Sequence, residues 1–214
     1  MADIFNEVDD DLKRDRAERL WKAYGNYVLG AAVAAVLATA GWTFWTDYQH
    51  KQAAAEGDRF FAAASKATAG DIKAASPALD ALVHDGRSGY RALAQLYDAG
   101  LKSRNGDLPG AIAIYRSIAN DASGDPDLRD AAAVLGALAS VETVPAAEID
   151  AMLARLTTGT SPWRFAAYEV AAIASLRAGK ADRAKELYAK IADDAAAPQS
   201  SRARAAEMLQ AIGS

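Results

Sequence analysis

SGYRALAQLYDAGLKSRNGDLPGAIAIYRSIANDASGDPDLRDAAAVLGAL, residues 88–138, aligns without a gap on SPWRFAAYEVAAIASLRAGKADRAKELYAKIADDAAAPQSSRARAAEMLQA, residues 161–211. Fifteen of the 51 pairs are identical, among them Arg91/Arg164, Ala94/Ala167, Gly106/Gly179, Ala111/Ala184, Tyr115/Tyr188, Ile118/Ile191 and Arg129/Arg202. Alanine-rich composition alone does not bring Gly, Tyr, Ile and Arg into register together. The stretch is therefore an internal repeat with a period of 73 residues.

Each copy reads as paired helices. A first helix runs to Asn105-Gly106-Asp107, or to Ala178-Gly179-Lys180, where glycine can take φ > 0 and end it. A second helix follows with Ala111, Ile114, Tyr115 and Ile118 on one face, or Ala184, Leu187, Tyr188 and Ile191. The small alanine lets two helices approach closely, and the tyrosine four residues later fills the groove beside it. Asp125-Pro126 and Pro198 open a third helix, and Ile149, Met152, Leu153 and Leu156 mark a fourth over Ala146–Thr157. A period of 73 is about two helix–turn–helix units of roughly 34 residues. The fold expected is all-α, a solenoid of stacked hairpins over residues 70–214. Upstream, Gly70 ends a helix, Ser76-Pro77 resembles an N-cap followed by proline at the first helical position, and Ala78, Leu79, Leu82 and Val83 form an apolar face stopped at Asp85-Gly86.

Before the repeats lies YVLGAAVAAVLATAGWTFW, Tyr27–Trp45, nineteen residues without a charge. As a helix it spans about 28 Å, close to the hydrocarbon thickness of a bilayer. Trp21 and Tyr24 precede it and Trp42, Trp45 and Tyr48 close it, the placement of an interfacial aromatic belt. A buried core helix would instead need apolar partners on every side. Ala38-Thr39-Ala40 fits a small-x-small cleavage site, yet the apolar run continues past it. The 26 residues before the run carry seven acids, unlike a short basic leader, so an uncleaved anchor is expected. Lys13, Arg14, Arg16, Arg19 and Lys22 precede the span, against Lys51, Arg59 and Lys66 soon after it. That bias places the N-terminus in the cytoplasm and the C-terminal domain across the membrane.

Residues 1–26 form a juxtamembrane segment in which Ile4, Phe5, Val8 and Leu12 recur at helical spacing. Two readings stand: a solvated helix, or a short face that docks on a cytoplasmic or membrane-embedded partner. Residues 46–69, proline-free and rich in Ala, Lys and Glu, continue the helix out of the membrane, and Phe60 and Phe61 begin the soluble core.

Residues 49–214 carry 19 basic and 20 acidic residues, which argues against nucleic acid as a partner. The absence of cysteine excludes disulfides and thiolate chemistry. His50 and His84 are isolated, and no HExxH, GxSxG or phosphate-binding glycine loop occurs. Asp9-Asp10-Asp11 points to several faces of a helix, so it reads as a solvated surface; Asp193-Asp194 reads the same way. No enzyme, cofactor or metal site is expected.

The Gly-Asp-x-x-x-Ala-x-x-x-Tyr run at 106–115 and Gly-x-x-x-x-Ala-x-x-x-Tyr at 179–188 resemble the helix junction of tetratricopeptide repeats. The first helices lack the Trp-x-x-Leu-Gly-x-x-Tyr pattern, and the repeat-end proline is displaced. With IFNEVDDDLKRDRAERLWKAYG at 4–25, one span and SPWR at 161–164, nearly the whole chain is similar to a bacterial family of membrane-anchored tetratricopeptide-repeat proteins. That family includes the ancillary subunit of the Sec translocon. The resemblance implies a single-pass inner-membrane protein with periplasmic repeats, whose partners are the translocon and periplasmic chaperones. A scaffold for one respiratory, division or envelope complex would use the same concave surface with one fixed partner. The Lys/Asn clamp for peptide C-termini does not map onto Lys102, Arg104 and Asn105, so no groove residues are assigned.

Overall fold

The computed structural model describes residues 3–86 and 88–213, with side chains from Trp21 onward except Val28 and Ser88. Among the described residues the chain is a series of helices: α1 (Asp3–Thr68), α2 (Ile72–Asp85), α3 (Ser88–Arg104), α4 (Leu108–Asn120), α5 (Pro126–Ser140), α6 (Ala146–Thr157), α7 (Arg164–Arg177), α8 (Ala181–Ala192) and α9 (Gln199–Gly213). No strand occurs among them. The chain divides into two compact units, Met1–Ala54 and Ala55–Ser214, with the division inside α1.

In the first unit the apolar stretch of α1 is long and apolar enough to cross a membrane, and none of that window is buried. It is therefore not a core helix of this chain's own fold. Its hydroxyls are satisfied within the helix: Thr39 Oγ1 donates to Ala35 O at 2.8 Å, Thr43 Oγ1 to Thr39 O at 2.8 Å, and Thr46 Oγ1 to Trp42 O at 3.0 Å. Such back-bonding removes the cost of carrying a hydroxyl into an apolar medium. Beyond the apolar run, Lys51 Nζ lies 2.8 Å from Asp47 Oδ2, and this hydrogen bond raises the lysine above its ordinary value.

The second unit is built on one repeated turn. Gly70, Gly106 and Gly179 hold φ of +88°, +88° and +70°, conformations that glycine adopts without a Cβ clash. At each, the glycine N–H donates to a carbonyl three residues back (Ala67, Ser103, Leu176) and the next N–H to one five residues back (Lys66, Lys102, Ser175), at 2.9–3.2 Å. That pair is the Schellman motif. The residue after the glycine starts the next helix: Asp71 and Asp107 accept from Ala74 N–H and Gly110 N–H at 3.1 and 3.0 Å. Asp71 also explains a difference from expectation. The helix opens at Ile72 rather than after Ser76, because the Schellman turn and the Asp71 cap already supply an N-terminus. Pro77 lies inside α2, where it removes one i→i−4 bond.

From each turn glycine, positions five, nine and twelve residues on are buried: Ala75, Leu79 and Leu82; Ala111, Tyr115 and Ile118; Ala184, Tyr188 and Ile191. Ile149, Leu153 and Leu156 of α6 hold the same places counted from Val144, where the turn has no glycine. The second unit is thus four hairpins, namely the end of α1 with α2, α3 with α4, α5 with α6, and α7 with α8, closed by α9. Each helix from α2 on packs on the next, and α3·α5 and α5·α7 also touch. First helices therefore stand side by side, as in a solenoid. The second sequence copy comprises α7, α8 and α9 only.

Buried alanines set the close spacing of the layers: Ala94 and Ala99 of α3, Ala132 and Ala137 of α5, and Ala167 and Ala172 of α7 are all inaccessible. Phe60 is buried with Ala63 and Ala67 against Leu79, Leu82, Ala94 and Leu101, while its neighbour Phe61 faces outward.

A candidate protein-interaction surface

The residues singled out from sequence fall in three places. Gly106, Ala111, Tyr115, Gly179, Ala184 and Tyr188 lie at hairpin turns and helix contacts of the second unit. Trp21, Tyr24, Trp42, Trp45 and Tyr48 are exposed on α1 in the first unit. The side chains of Ile4, Phe5, Val8 and Leu12 lie outside the described residues.

Tyr115 illustrates how the packing works. A Cβ at Gly136 of α5 would come within 3.0 Å of Tyr115 Cβ, and one at Gly100 of α3 within 3.8 Å of the tyrosine hydroxyl. The ring is therefore seated between α3 and α5 where both neighbours lack a side chain. Burial pushes the hydroxyls of both Tyr115 and Tyr188 above the ordinary tyrosine value, and Glu169 adds to the shift at Tyr188.

Polar links brace the stack. Asp130, buried on α5, faces the Arg155 guanidinium of α6 and accepts from Ser161 Oγ before α7. Glu169 of α7 receives a two-pronged contact from Arg204 of α9, at 3.1 and 3.0 Å. Arg177 at the end of α7 pairs with Glu142 in the α5–α6 turn. These ion pairs tie α5 to α6, α7 to α9 and α7 to the α5–α6 turn, and planar forks like that of Arg204 add geometric definition.

Among the described residues of the second unit the exposed large apolar side chains are Phe61 on α1, Leu108 on α4 and Leu135 and Leu138 on α5. On α5 the run Ala131–Ser140 is buried or half-buried except at Leu135, 37% exposed, and Leu138, 45% exposed. Leu138 stands six residues before Val144, and Ile173 holds the same place before Gly179, with Gly100 before Gly106. The α3–α5–α7 row thus carries the exposed Leu135 and Leu138 on α5 and the half-buried Ile173 on α7. Apolar side chains left accessible on a helix row are the material from which the centre of a protein-binding surface is composed. Sequence reading did not locate these leucines, because helical spacing cannot separate a face packed on α4 and α6 from one left open. It read Gly70 as a helix end with a helix after it, but did not match this pair to the repeat, although Gly70, Ala75 and Leu79 have the spacing of Gly106, Ala111 and Tyr115; Leu in place of Tyr and the proline at 77 hid it.

No group of His, Cys, Asp and Glu among the described residues could hold a metal ion. Comparison with curated proteins and with solved structures gives no match. One family model, described as a tetratricopeptide repeat-like domain, matches residues 18–212, the apolar helix as well as all four hairpins. With four glycine- or valine-turned hairpins stacked first helix to first helix, and that match over most of its length, the chain belongs to the tetratricopeptide repeat-like domain family.

Proposed function

We propose that this chain is a non-enzymatic, membrane-anchored protein-interaction module. Tyr27–Trp45 crosses the bacterial inner membrane once, with Trp21, Tyr24, Trp42, Trp45 and Tyr48 at its interfaces. The five basic residues before the span hold the N-terminus in the cytoplasm, and the repeats stand in the periplasm. There the module acts as an ancillary factor of the Sec translocon, linking it to periplasmic chaperones or emerging clients. The observation that carries the interaction role is the open apolar strip Leu135–Leu138 on the row of first helices, in a fold whose function is to hold segments of other proteins. The anchor reading is supported by an apolar helix with none of its window buried. Ile4, Phe5, Val8 and Leu12 add a second contact beside or within the membrane, and two weak contacts on one chain reinforce each other through effective concentration.

Cross-linking in intact cells followed by affinity purification of the full chain tests the proposal. Translocon subunits and many exported clients should be recovered, and fewer clients with Leu138→Asp. Phe5→Asp combined with Val8→Asp should release the membrane complex while leaving the repeat unit folded. Recovery of one fixed complex and no clients would favour the scaffold reading and overturn the translocon one.

A further inference from the structure

The repeat provides its own comparison. Arg91, Asp121 and Arg129 of the first copy recur as Arg164, Asp194 and Arg202 of the second. In each copy they come from the start of one helix, the loop after the next, and the first turn of a third. In the second copy an ion pair bridges the place: Arg164 Nη2 lies 3.5 Å from Asp194 Oδ2, and its Nη1 donates to Ser161 O at 3.2 Å. In the first copy it is open. Arg91 Nη2 donates to Gly86 O at 3.1 Å, while Asp121 Oδ1 accepts from Ser123 N–H and Oγ–H at 2.9 and 2.6 Å. No ion pair joins Arg91 to Asp121 among the described residues.

What remains between α3, α4 and α5 is a cavity of about 250 Å³. Its lining includes the polar Arg91, Gln95 and Arg129 and the apolar Ala92, Ile118 and Leu128. The two carboxylates in its wall already have donors. Asp121 is held by Ser123, and Asp125 Oδ1 accepts from the N–H groups of Asp127 and Leu128 at 2.9 and 3.2 Å. The Arg129 Nε is buried without an acceptor, as is that of Arg202. Buried donors of this kind are normally satisfied.

We propose that this cavity receives a carboxylate side chain from a partner protein, which takes on Arg91 the place that Asp194 takes on Arg164. Glutamate fits the lining: its two methylenes lie along Ala92, Ile118 and Leu128, and its carboxylate meets Arg91, Gln95 and Arg129. The origin of the carboxylate in a partner rests on the interaction-module reading; the pocket's preference for a carboxylate does not.

The test uses the full chain in detergent micelles, with the arginine Nε–Hε resonances followed by NMR. Propionate and N-acetyl-glutamate amide should each shift Arg91 and Arg129 saturably and leave Arg164 and Arg202 unmoved. Arg91→Gln should weaken both about tenfold or more, the value of a charge-assisted hydrogen bond. Ala92→Leu, which fills the apolar wall without touching a charge, should block binding while the Arg164 and Arg202 resonances stay in place. Equal shifts at all four arginines, a shift that never saturates, or tighter binding of inorganic phosphate than of propionate would overturn the inference. Binding of propionate but not of the capped glutamate would overturn its partner origin. Leu138→Asp should leave the titration unchanged, so failure of the client-binding strip and failure of this pocket are distinguishable.

Discussion

Ala111 is inaccessible to solvent, between Ala99 of α3 and Tyr115 of its own helix, with Leu96, Ile114 and Ala139 packed around them. Replacing it with leucine adds three heavy atoms where no space is left. Burying those atoms would contribute about 2.4 kcal/mol if room existed, at about 0.8 kcal/mol per carbon. In a close-packed contact, displaced neighbours and off-rotamer side chains outweigh that gain, and the net cost is about 1–3 kcal/mol. For a repeat unit of this size each kcal/mol lowers the melting temperature by about 2–4 °C, so Ala111→Leu should melt about 2–12 °C below the parent. Ala184→Leu should behave alike, because Ala184 is equally inaccessible at the matching position. Ile149 occupies that position in the α5–α6 hairpin, which shows that a hairpin can be built with a larger residue there, but only with the helices spaced for it. Ala55→Leu, at an exposed helical site, is the control and should change the melting temperature by little. Thermal circular dichroism of the full chain in detergent decides the matter. If Ala111→Leu and Ala184→Leu melt together with Ala55→Leu and the parent, the close helix contact is not where the stability of these hairpins resides.

Further expectations concern the turns, the charges and the topology. Gly179→Ala and Gly106→Ala place a Cβ in the left-handed region and should each cost about 1–2 kcal/mol in urea unfolding. Gly89→Ala, in open space on α3 and not at positive φ, should instead stabilise, by up to about 1 kcal/mol. Asp98 is held above the ordinary carboxylate range by burial, against the opposing pull of Lys102, with Asp80 and Asp107 adding to the rise. Because its folded value exceeds its unfolded one, the folded state binds the proton more tightly, and stability falls as pH rises through the folded value. Asp98→Asn should therefore raise the melting temperature at pH 7 and have no effect at pH 3; an equal effect at both would show that the carboxylate charge is not the cause. A reporter active only in the periplasm, fused after Ser214, should be active, and activity from a cytoplasmic reporter instead would reverse the proposed orientation.

Local chemistry is legible along the chain, and this sequence is rich in it. The Gly106 and Gly179 turns, the Asp125-Pro126 start and the Ile149–Leu156 face each depend on residues within about one helical turn, so each could be read before any packing was known. The nineteen uncharged residues of Tyr27–Trp45 likewise define an apolar helix whatever follows them. Tertiary structure decided what depends on distant neighbours. It made a hairpin of the helices on either side of Gly70, by burying Phe60, Ala63 and Ala67 of α1 against Leu79 and Leu82 of α2. It left Leu135 and Leu138 open while burying the rest of their helix, a distinction set by which helices lie alongside α5. Above all, Arg91, Asp121 and Arg129 are the same residues as Arg164, Asp194 and Arg202, yet one set encloses a cavity and the other is bridged by an ion pair. Identical letters cannot tell those outcomes apart; a few ångströms between a loop carboxylate and a helix guanidinium do.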